Sequence, residues 1–228
     1  METYALTLLE KKHIADFVYS FRFAKPDMFV FTAGQFVQFA VPSSDGSLAL
    51  RAYSISSIPG DPYLEFCVKM IENGVASAHL LRMREGEEFL CTKAQGRFVM
   101  NDANKPLSAV ATGAGLAPLL SIIRDQLETK KTNHEIRLLF GVRMEKDIFW
   151  TERLNDLQKT HPNFSYQLTV SRPGQSWEGL SGRVTSHLPT PGQDDLFYLC
   201  GNGEMIKDVR TILLQEGASA KAIKFEIF

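Results

Sequence analysis

Up to about residue 100, apolar side chains tend to recur at every second position in short runs. The clearest are Phe17-Val-Tyr-Ser-Phe-Arg-Phe23, Gly34-Gln-Phe-Val-Gln-Phe-Ala-Val41 and Tyr63-Leu-Glu-Phe-Cys-Val-Lys69. Period-2 alternation predicts strands with one face on a core. Ser43-Ser-Asp-Gly46 and Pro59-Gly-Asp-Pro62 supply turn chemistry between runs, and in this half Val75 to Met83 alone has helical spacing. Such a meander closes most simply as an antiparallel barrel, whose packing accounts for ten of the 16 phenylalanines lying before residue 99.

After Asn101-Asp-Ala-Asn-Lys-Pro106, a polar stretch that reads as a linker, the period changes. Strands are predicted at Leu107 to Ala111, Glu135 to Gly141, Phe164 to Val170, Leu196 to Cys200 and Ile223 to Ile227. Helices are predicted from about Pro118 to Lys130, Ile148 to Gln158 and Gly203 to Glu216. This alternation is the signature of a parallel α/β sheet. The chain therefore reads as two domains, an antiparallel β-barrel over residues 1–102 and a nucleotide-type α/β domain over 103–228.

Composition narrows the function. Lys plus Arg number 25 against 26 for Asp plus Glu, a net charge of -1, so no net field favours nucleic acid. Cys67, Cys91 and Cys200 stand far apart, too few for a disulfide framework and one short of a four-thiolate iron–sulfur site. Pro106 to Ile123 runs 18 residues without a charge, but its prolines and glycines break it as a membrane span. The start, Met-Glu-Thr-Tyr-Ala-Leu-Thr-Leu-Leu-Glu, lacks the regions of a signal peptide, so a reduced cytoplasmic setting is expected. The five histidines show no metal-ligand spacing and no G-x-S-x-G elbow is present, which argues against a bound metal and against a serine hydrolase.

Two segments could carry chemistry on their own terms. Ala111-Thr-Gly-Ala-Gly-Leu-Ala-Pro118 stands between an apolar strand and a helix, where glycines let the backbone approach a pyrophosphate and the helix start supplies N–H donors. The same turn also occurs for packing alone. Pro118 replaces the third glycine of the usual dinucleotide fingerprint and suits the first turn of a helix, and Gly141-Val-Arg143 stands where that fingerprint has an acid. Arg51-Ala-Tyr-Ser54 offers a phosphate fork, an aromatic face and a hydroxyl, although such a tetrapeptide also reads as surface strand.

Taken together and in order, these segments resemble the plant-type ferredoxin–NADP reductase superfamily over nearly the whole chain. The resemblance implies an FAD-binding barrel followed by an NAD(P)-binding α/β domain. Arg51 would bind the FAD pyrophosphate, Tyr53 would stack on the isoalloxazine and Ser54 would face N5. Cys67-Val-Lys69 matches a C-V-K segment that places Val68 and Lys69 at the flavin. Gly74-Val-Ala-Ser77 matches a G-V-x-S helix start that places Gly74, Val75 and Ser77 at the flavin phosphates. Thr112-Gly-Ala-Gly-Leu-Ala-Pro118 resembles the T-G-x-G-[IL]-A-P turn for the nicotinamide pyrophosphate, assigning Thr112, Gly113, Gly115 and Pro118. Cys200-Gly-Asn-Gly-Glu-Met205 resembles the C-G-x-x-x-M segment, assigning Gly201, Asn202 and Met205, with Cys200 beside the nicotinamide.

The chain ends Phe225-Glu-Ile-Phe228, where plant-type members end V-E-V-Y. By resemblance Glu226 would join Ser54 in a proton relay, and Phe228 would cover the isoalloxazine until nicotinamide displaces it. Thr169-Val-Ser-Arg-Pro173 offers Ser171 and Arg172 to a 2′-phosphate, which favours NADPH over NADH. The implied activity is hydride exchange between NAD(P)H and FAD, with electrons passed to a separate acceptor: a ferredoxin, a flavodoxin or an oxygenase component. The alternatives are a reductase of free flavin, the reductase component of an oxygenase, and a flavin-binding subunit of a larger complex without turnover of its own.

Overall fold

A 13-residue strand, β1 (Thr3–Ala15), organises the first half. Its start pairs with β6 (Glu88–Thr92) and its remainder with β2 (Val18–Ala24); register shifts between Leu8 and Glu10 and between His13 and Ala15 bend it so that one run serves two partners. With β3 (Phe36–Pro42), β4 (Leu48–Ser54) and β5 (Tyr63–Lys69) it forms an antiparallel sheet in the order β4-β3-β6-β1-β2-β5. A bridge from Ile55, just after β4, to Phe66 of β5 joins the two edges, giving the barrel that the alternation predicts. Inside, Phe39 meets Phe66, Phe89 and Phe23 edge-on at 4.9, 5.0 and 5.8 Å, the arrangement that aromatic quadrupoles favour. Among the described residues the one helix of this half is α1 (Val75–Arg82). The computed structural model describes residues 2–42, 48–100 and 104–228. The expected turn at Ser43–Gly46 and residues 101–103 of the expected linker lie outside them.

The second half is a six-stranded parallel sheet. Its strands are β7 (Leu107–Thr112), β8 (Ile136–Val142), β9 (Phe164–Val170), β10 (Leu180–Ser181), β11 (Leu196–Gly201) and β12 (Ile223–Ile227), in the order β10-β9-β8-β7-β11-β12. The helices are α2 (Leu116–Arg124), α3 (Thr151–Thr160) and α4 (Gly203–Gln215). The order in which strands are added reverses between β7 and β11, which run parallel, the place where parallel α/β sheets bind ligands beyond their strand ends. Helix α2 begins two residues earlier than periodicity predicts, after a 3₁₀ turn at Gly113–Gly115, and widens into a π turn over Asp125–Thr129. Pro118 is its third residue, where no backbone N–H is needed. Helix α3 begins three residues later than predicted, because Ile148 is extended and Trp150 sits at φ 59 in the left-handed region. Among the described residues no helix is long and apolar enough to cross a membrane.

The two halves share one core. Ala15, Val18, Cys67 and Phe98 of the first pack in the same buried cluster as Leu116, Ile122, Trp150 and Tyr198 of the second. Polar bonds cross the same boundary. Arg153 of α3 donates Nη1 and Nη2 to the two oxygens of Glu65 on β5 at 2.7 and 2.8 Å, Arg124 of α2 forks onto Asp61 at 2.8 and 3.2 Å, and Ser121 Oγ donates to Ser57 O at 2.6 Å. Glu65 is 1% exposed and also accepts from Ser20 Oγ and Arg22 Nε. Burial pushes its carboxyl pKa up, but the Arg153 guanidinium and then Arg22 and Ser20 outweigh burial and hold it below the ordinary value.

A carboxyl with a folded pKa below its unfolded one stabilises the protein fully above the ordinary value of 4.5 and loses that contribution as pH falls through the folded value. Urea unfolding of the wild type is therefore expected to show stability falling more steeply below about pH 4.5 than that of Glu65→Gln. Glu65→Ala, which takes the carboxylate from Arg153 and leaves Arg22 to Glu10 alone, should cost about 2–3 kcal/mol at neutral pH.

Candidate functional site

The strand ends at the switch point are held together at contact distance. A Cβ on Gly115 would overlap the carbonyl oxygen of Cys200, and one on Gly201, at φ +141, would overlap Thr112 Oγ1. Glycine at both positions lets β7 and β11 close on each other, and Thr112 Oγ1 accepts from Asn202 N at 3.2 Å across the seam. Gly113 is different in kind. It sits at φ +54, and a Cβ built there meets nothing within 4 Å. Its backbone faces open space rather than protein, as a phosphate cradle requires.

That open space is a cavity of about 940 Å³ between the halves, at the upper end of the range for small-molecule sites and large enough for more than one ring system. From the barrel it is lined by Arg51, Tyr53, Lys69, Gly74, Val75 and Ser77, and from the α/β half by Thr112, Gly113, Gly115, Ser171, Arg172, Gly201, Asn202, Met205 and Phe228. The period-2 geometry of β4 sends Arg51 and Tyr53 to the same side. Burial, the larger influence, raises the Tyr53 phenol above its ordinary value despite the neighbouring Arg51 charge, so it stays a neutral donor. Gly74 caps α1 with no side-chain hydrogen bond to the first turn and no acid within it; Ser77 Oγ instead accepts from Ile71 N at 2.8 Å and pins the preceding loop. The first-turn N–H groups of α1, with Arg51 and Lys69, present positive charge and donors to the cavity, which fits a diphosphate.

Five predicted residues do not reach the cavity surface. Val68 is turned into the barrel core and Pro118 into the helix packing, so neither side chain can touch a ligand there. Cys200 is fully buried, and burial pushes its thiol pKa well up, with Glu226 adding to the effect. Ser54 and Glu226, 172 residues apart, meet behind the cavity: Ser54 Oγ donates to Glu226 Oε1 at 3.1 Å, and Glu226 stands opposite Cys200 in the β11–β12 ladder. Burial raises the Glu226 carboxyl pKa, and the Ser54 hydroxyl partly offsets that rise. Asn202 spends its side-chain oxygen capping α4, accepting from Glu204 N at 2.9 Å, which leaves its amide N–H₂ for other partners. Phe228 is half-exposed over the opening, its N–H donating to Gly201 O at 3.0 Å.

Arg143 and Arg183 are among the lining residues that the sequence reading left unassigned. Backbone bonds from Arg172 N to Arg143 O and from Gly182 N to Val170 O bring their segments beside Arg172, and all three side chains are exposed and without an ion-pair partner among the described residues. The signal for Arg143 lay in the missing acid after β8; for Arg183 there was none, since only the fold brings the segment after β10 alongside.

Comparison with known proteins places this geometry. Residues 5–100 match the family model described as an oxidoreductase FAD-binding domain, and residues 109–211 that of an oxidoreductase NAD-binding domain. Ferredoxin–NADP reductase B of Sorangium cellulosum is 31% identical over 99% of this chain and 97% of its own. The chain belongs to the ferredoxin–NADP reductase superfamily. It is an FAD-dependent NAD(P)H oxidoreductase, and its fold superposes with a TM-score of 0.86 on a ferredoxin–NADP⁺ reductase from Neisseria gonorrhoeae with bound FAD and NADP, at 27% identity over 100% of this chain and 99% of that one. The anthranilate 1,2-dioxygenase electron transfer component of Acinetobacter baylyi is 29% identical over 87% of this chain, which spans 58% of that longer protein.

Within this superfamily member, the two glycines of the turn separate by function. Gly115→Ala should cost on the order of 3 kcal/mol of stability, because its Cβ meets backbone. Gly113→Ala should leave a folded protein about 1 kcal/mol less stable, the cost of alanine at a left-handed φ, while weakening nucleotide binding about tenfold. Thermal unfolding and NADP titration separate the two. Infrared difference titration of Ser54→Ala should show the Glu226 carboxyl moved further above the ordinary carboxylate value, since an acceptor bond that favours the charged form is gone.

Proposed function

We propose that residues 1–102 hold FAD and residues 103–228 hold NADPH in the shared cavity, and that electrons leave to a small redox protein, a ferredoxin or flavodoxin, or to an oxygenase component. The observation that carries this reading is that residues from both halves line one continuous cavity, with Phe228 between them. Bound FAD supplies two-electron exchange with a nicotinamide and one-electron exchange with a protein acceptor.

The chain's own residues have distinct tasks. Arg51, Lys69 and the α1 start from Gly74, Val75 and Ser77 hold the flavin diphosphate, and Tyr53 supplies the stacking face. The backbone of Thr112–Gly115 takes the nicotinamide diphosphate, with Gly201, Asn202 and Met205 beyond it. Val68 and Pro118 shape these walls from behind. Ser54 Oγ and Glu226 hold and pass a proton at the flavin side, and the raised carboxyl pKa brings Glu226 closer to neutrality as a donor. Phe228 covers the flavin face and turns aside for nicotinamide, and the buried Cys200 backs that wall from beneath its surface. Arg143, Arg172 and Arg183 with Ser171 converge where a 2′-phosphate would lie, and a doubly charged phosphate is the ligand best suited to three unpaired guanidinium groups. A cytoplasmic setting agrees with three buried free thiols.

The deciding experiment is anaerobic titration of the FAD-loaded protein with NADPH and with NADH, followed at the flavin absorbance. Bleaching at one equivalent of NADPH is expected; no bleaching with either nucleotide would overturn the reading in favour of a flavin-binding subunit. FAD lost on gel filtration would favour a reductase of free flavin. Arg172→Ala should raise KM for NADPH about 10- to 100-fold, the worth of a charge-assisted bond, with KM for NADH nearly unchanged.

A further inference from the structure

Glu65, Cys67 and Lys69 alternate onto one face of β5. Cys67 and Lys69 form part of the barrel wall of the cavity, and Glu65 continues the row into the buried boundary behind it. The facing wall of the cavity carries Phe149. Arg153, on the first turn of α3, reaches across with both Nη atoms to the two Glu65 oxygens at 2.7 and 2.8 Å. Its guanidinium also lies 4.9 Å over the Trp150 ring, which meets Phe149 edge-on at 5.2 Å. Trp150 is held at φ 59 with a buried indole N–H that has no hydrogen-bond partner. A left-handed aromatic residue with an unpaired buried donor persists only where its surroundings over-determine it. Ser20 and Arg22 bind Glu65 from the barrel side, so the carboxylate cannot follow Arg153 without breaking bonds to β2.

We propose that the Glu65–Arg153 fork is a spacer strut that fixes the separation between the β5 wall and the Phe149 wall, making Arg153 a positioning residue for the meeting of the two cofactors. The inference rests on the two-cofactor reading above. The chain contains its own control: Arg124 and Asp61 form a second fork across the same boundary; like Glu65 and Arg153 they do not line the cavity, but they belong neither to the β5 row nor to the Arg153–Trp150–Phe149 stack, each of which ends in residues that do. If any broken cross-link degraded the reaction, the two forks would behave alike. Misregistration of reacting groups acts on the chemical step rather than on binding.

The test compares FAD-loaded Arg153→Met, Arg153→Lys and Arg124→Met with the wild type. Arg153→Met should keep its FAD, hold KM for NADPH within about twofold and lower kcat about tenfold, with a larger isotope effect from NADPH deuterated at C4. Arg153→Lys, which keeps the charge but not the fork, should fall between it and the wild type and serves if the methionine variant fails to fold. Arg124→Met should lower the Tm with kcat within about twofold of wild type. In FAD-free protein, amide exchange over residues 147–152 should quicken in both Arg153 variants and not in Arg124→Met. Unchanged kcat in the Arg153 variants, an equal loss in Arg124→Met, or unchanged exchange over 147–152 would each overturn the strut. Failure of the wild type to oxidise either nucleotide would defeat the cofactor reading instead, and the exchange measurement would still decide the strut.

Discussion

The structure depends on one buried carboxylate. Glu65 lies in the barrel, but its charge is balanced from both halves, by Arg22 and Ser20 on its own side and by Arg153 from the α/β side. A carboxylate buried to 1% exposure without partners would be intolerable in either half alone. The hydrophobic cluster that runs through the boundary supplies attraction without direction, since apolar contacts tolerate sliding by fractions of an ångström. The bidentate fork supplies the direction. Two halves so joined keep their strand ends facing each other, and the cavity exists only in that arrangement.

At the cavity floor the constraint is steric rather than electrostatic. The overlap of any Gly115 or Gly201 side chain with the opposing strand end means that the β7–β11 seam is as close as backbones permit. Closeness there buries Cys200 and brings β12 alongside, which in turn delivers Glu226 to Ser54. A hydrogen-bonded pair assembled from residues 172 positions apart thus rests on two missing methyl groups.

Much of this was legible in the sequence, for reasons that differ by element. The Thr112–Pro118 turn and Arg51–Ser54 were readable because each packs its chemistry into a few consecutive residues. The barrel and the parallel sheet followed from the change of apolar period near residue 100. Strand β1 was not delimited among the short runs because its second half alternates polar residues around a bend, and the start of α3 was misplaced because nothing local announces a left-handed tryptophan. Glu65 is the most instructive case. In Tyr63-Leu-Glu-Phe-Cys-Val-Lys69 it occupies the face that alternation assigns to solvent, yet this stretch is buried on both sides, because the second half covers the outer face. Period-2 reasoning identifies the strand but not which of its faces meets another domain. Arg143, Arg172 and Arg183 converge through three separate strand ends, a proximity that no spacing in the chain encodes.

Under the proposed function a site built this rigidly has to admit a second ring beside the first, and the terminal residue is the part of the lining freest to yield. The N–H of Phe228 is tied to Gly201 O, so the backbone of β12 and the Ser54–Glu226 bond stay in place whatever the side chain does. The ring itself is half-exposed and is not in ring contact with any described aromatic. Turning it aside therefore requires rotation about side-chain bonds only, a motion of picoseconds to nanoseconds for exposed residues, far faster than turnover. The Glu65–Arg153 fork, the glycine seam and the terminal strand make the frame stiff, and the side chain that the proposed function sets in motion is the one left without polar bonds of its own.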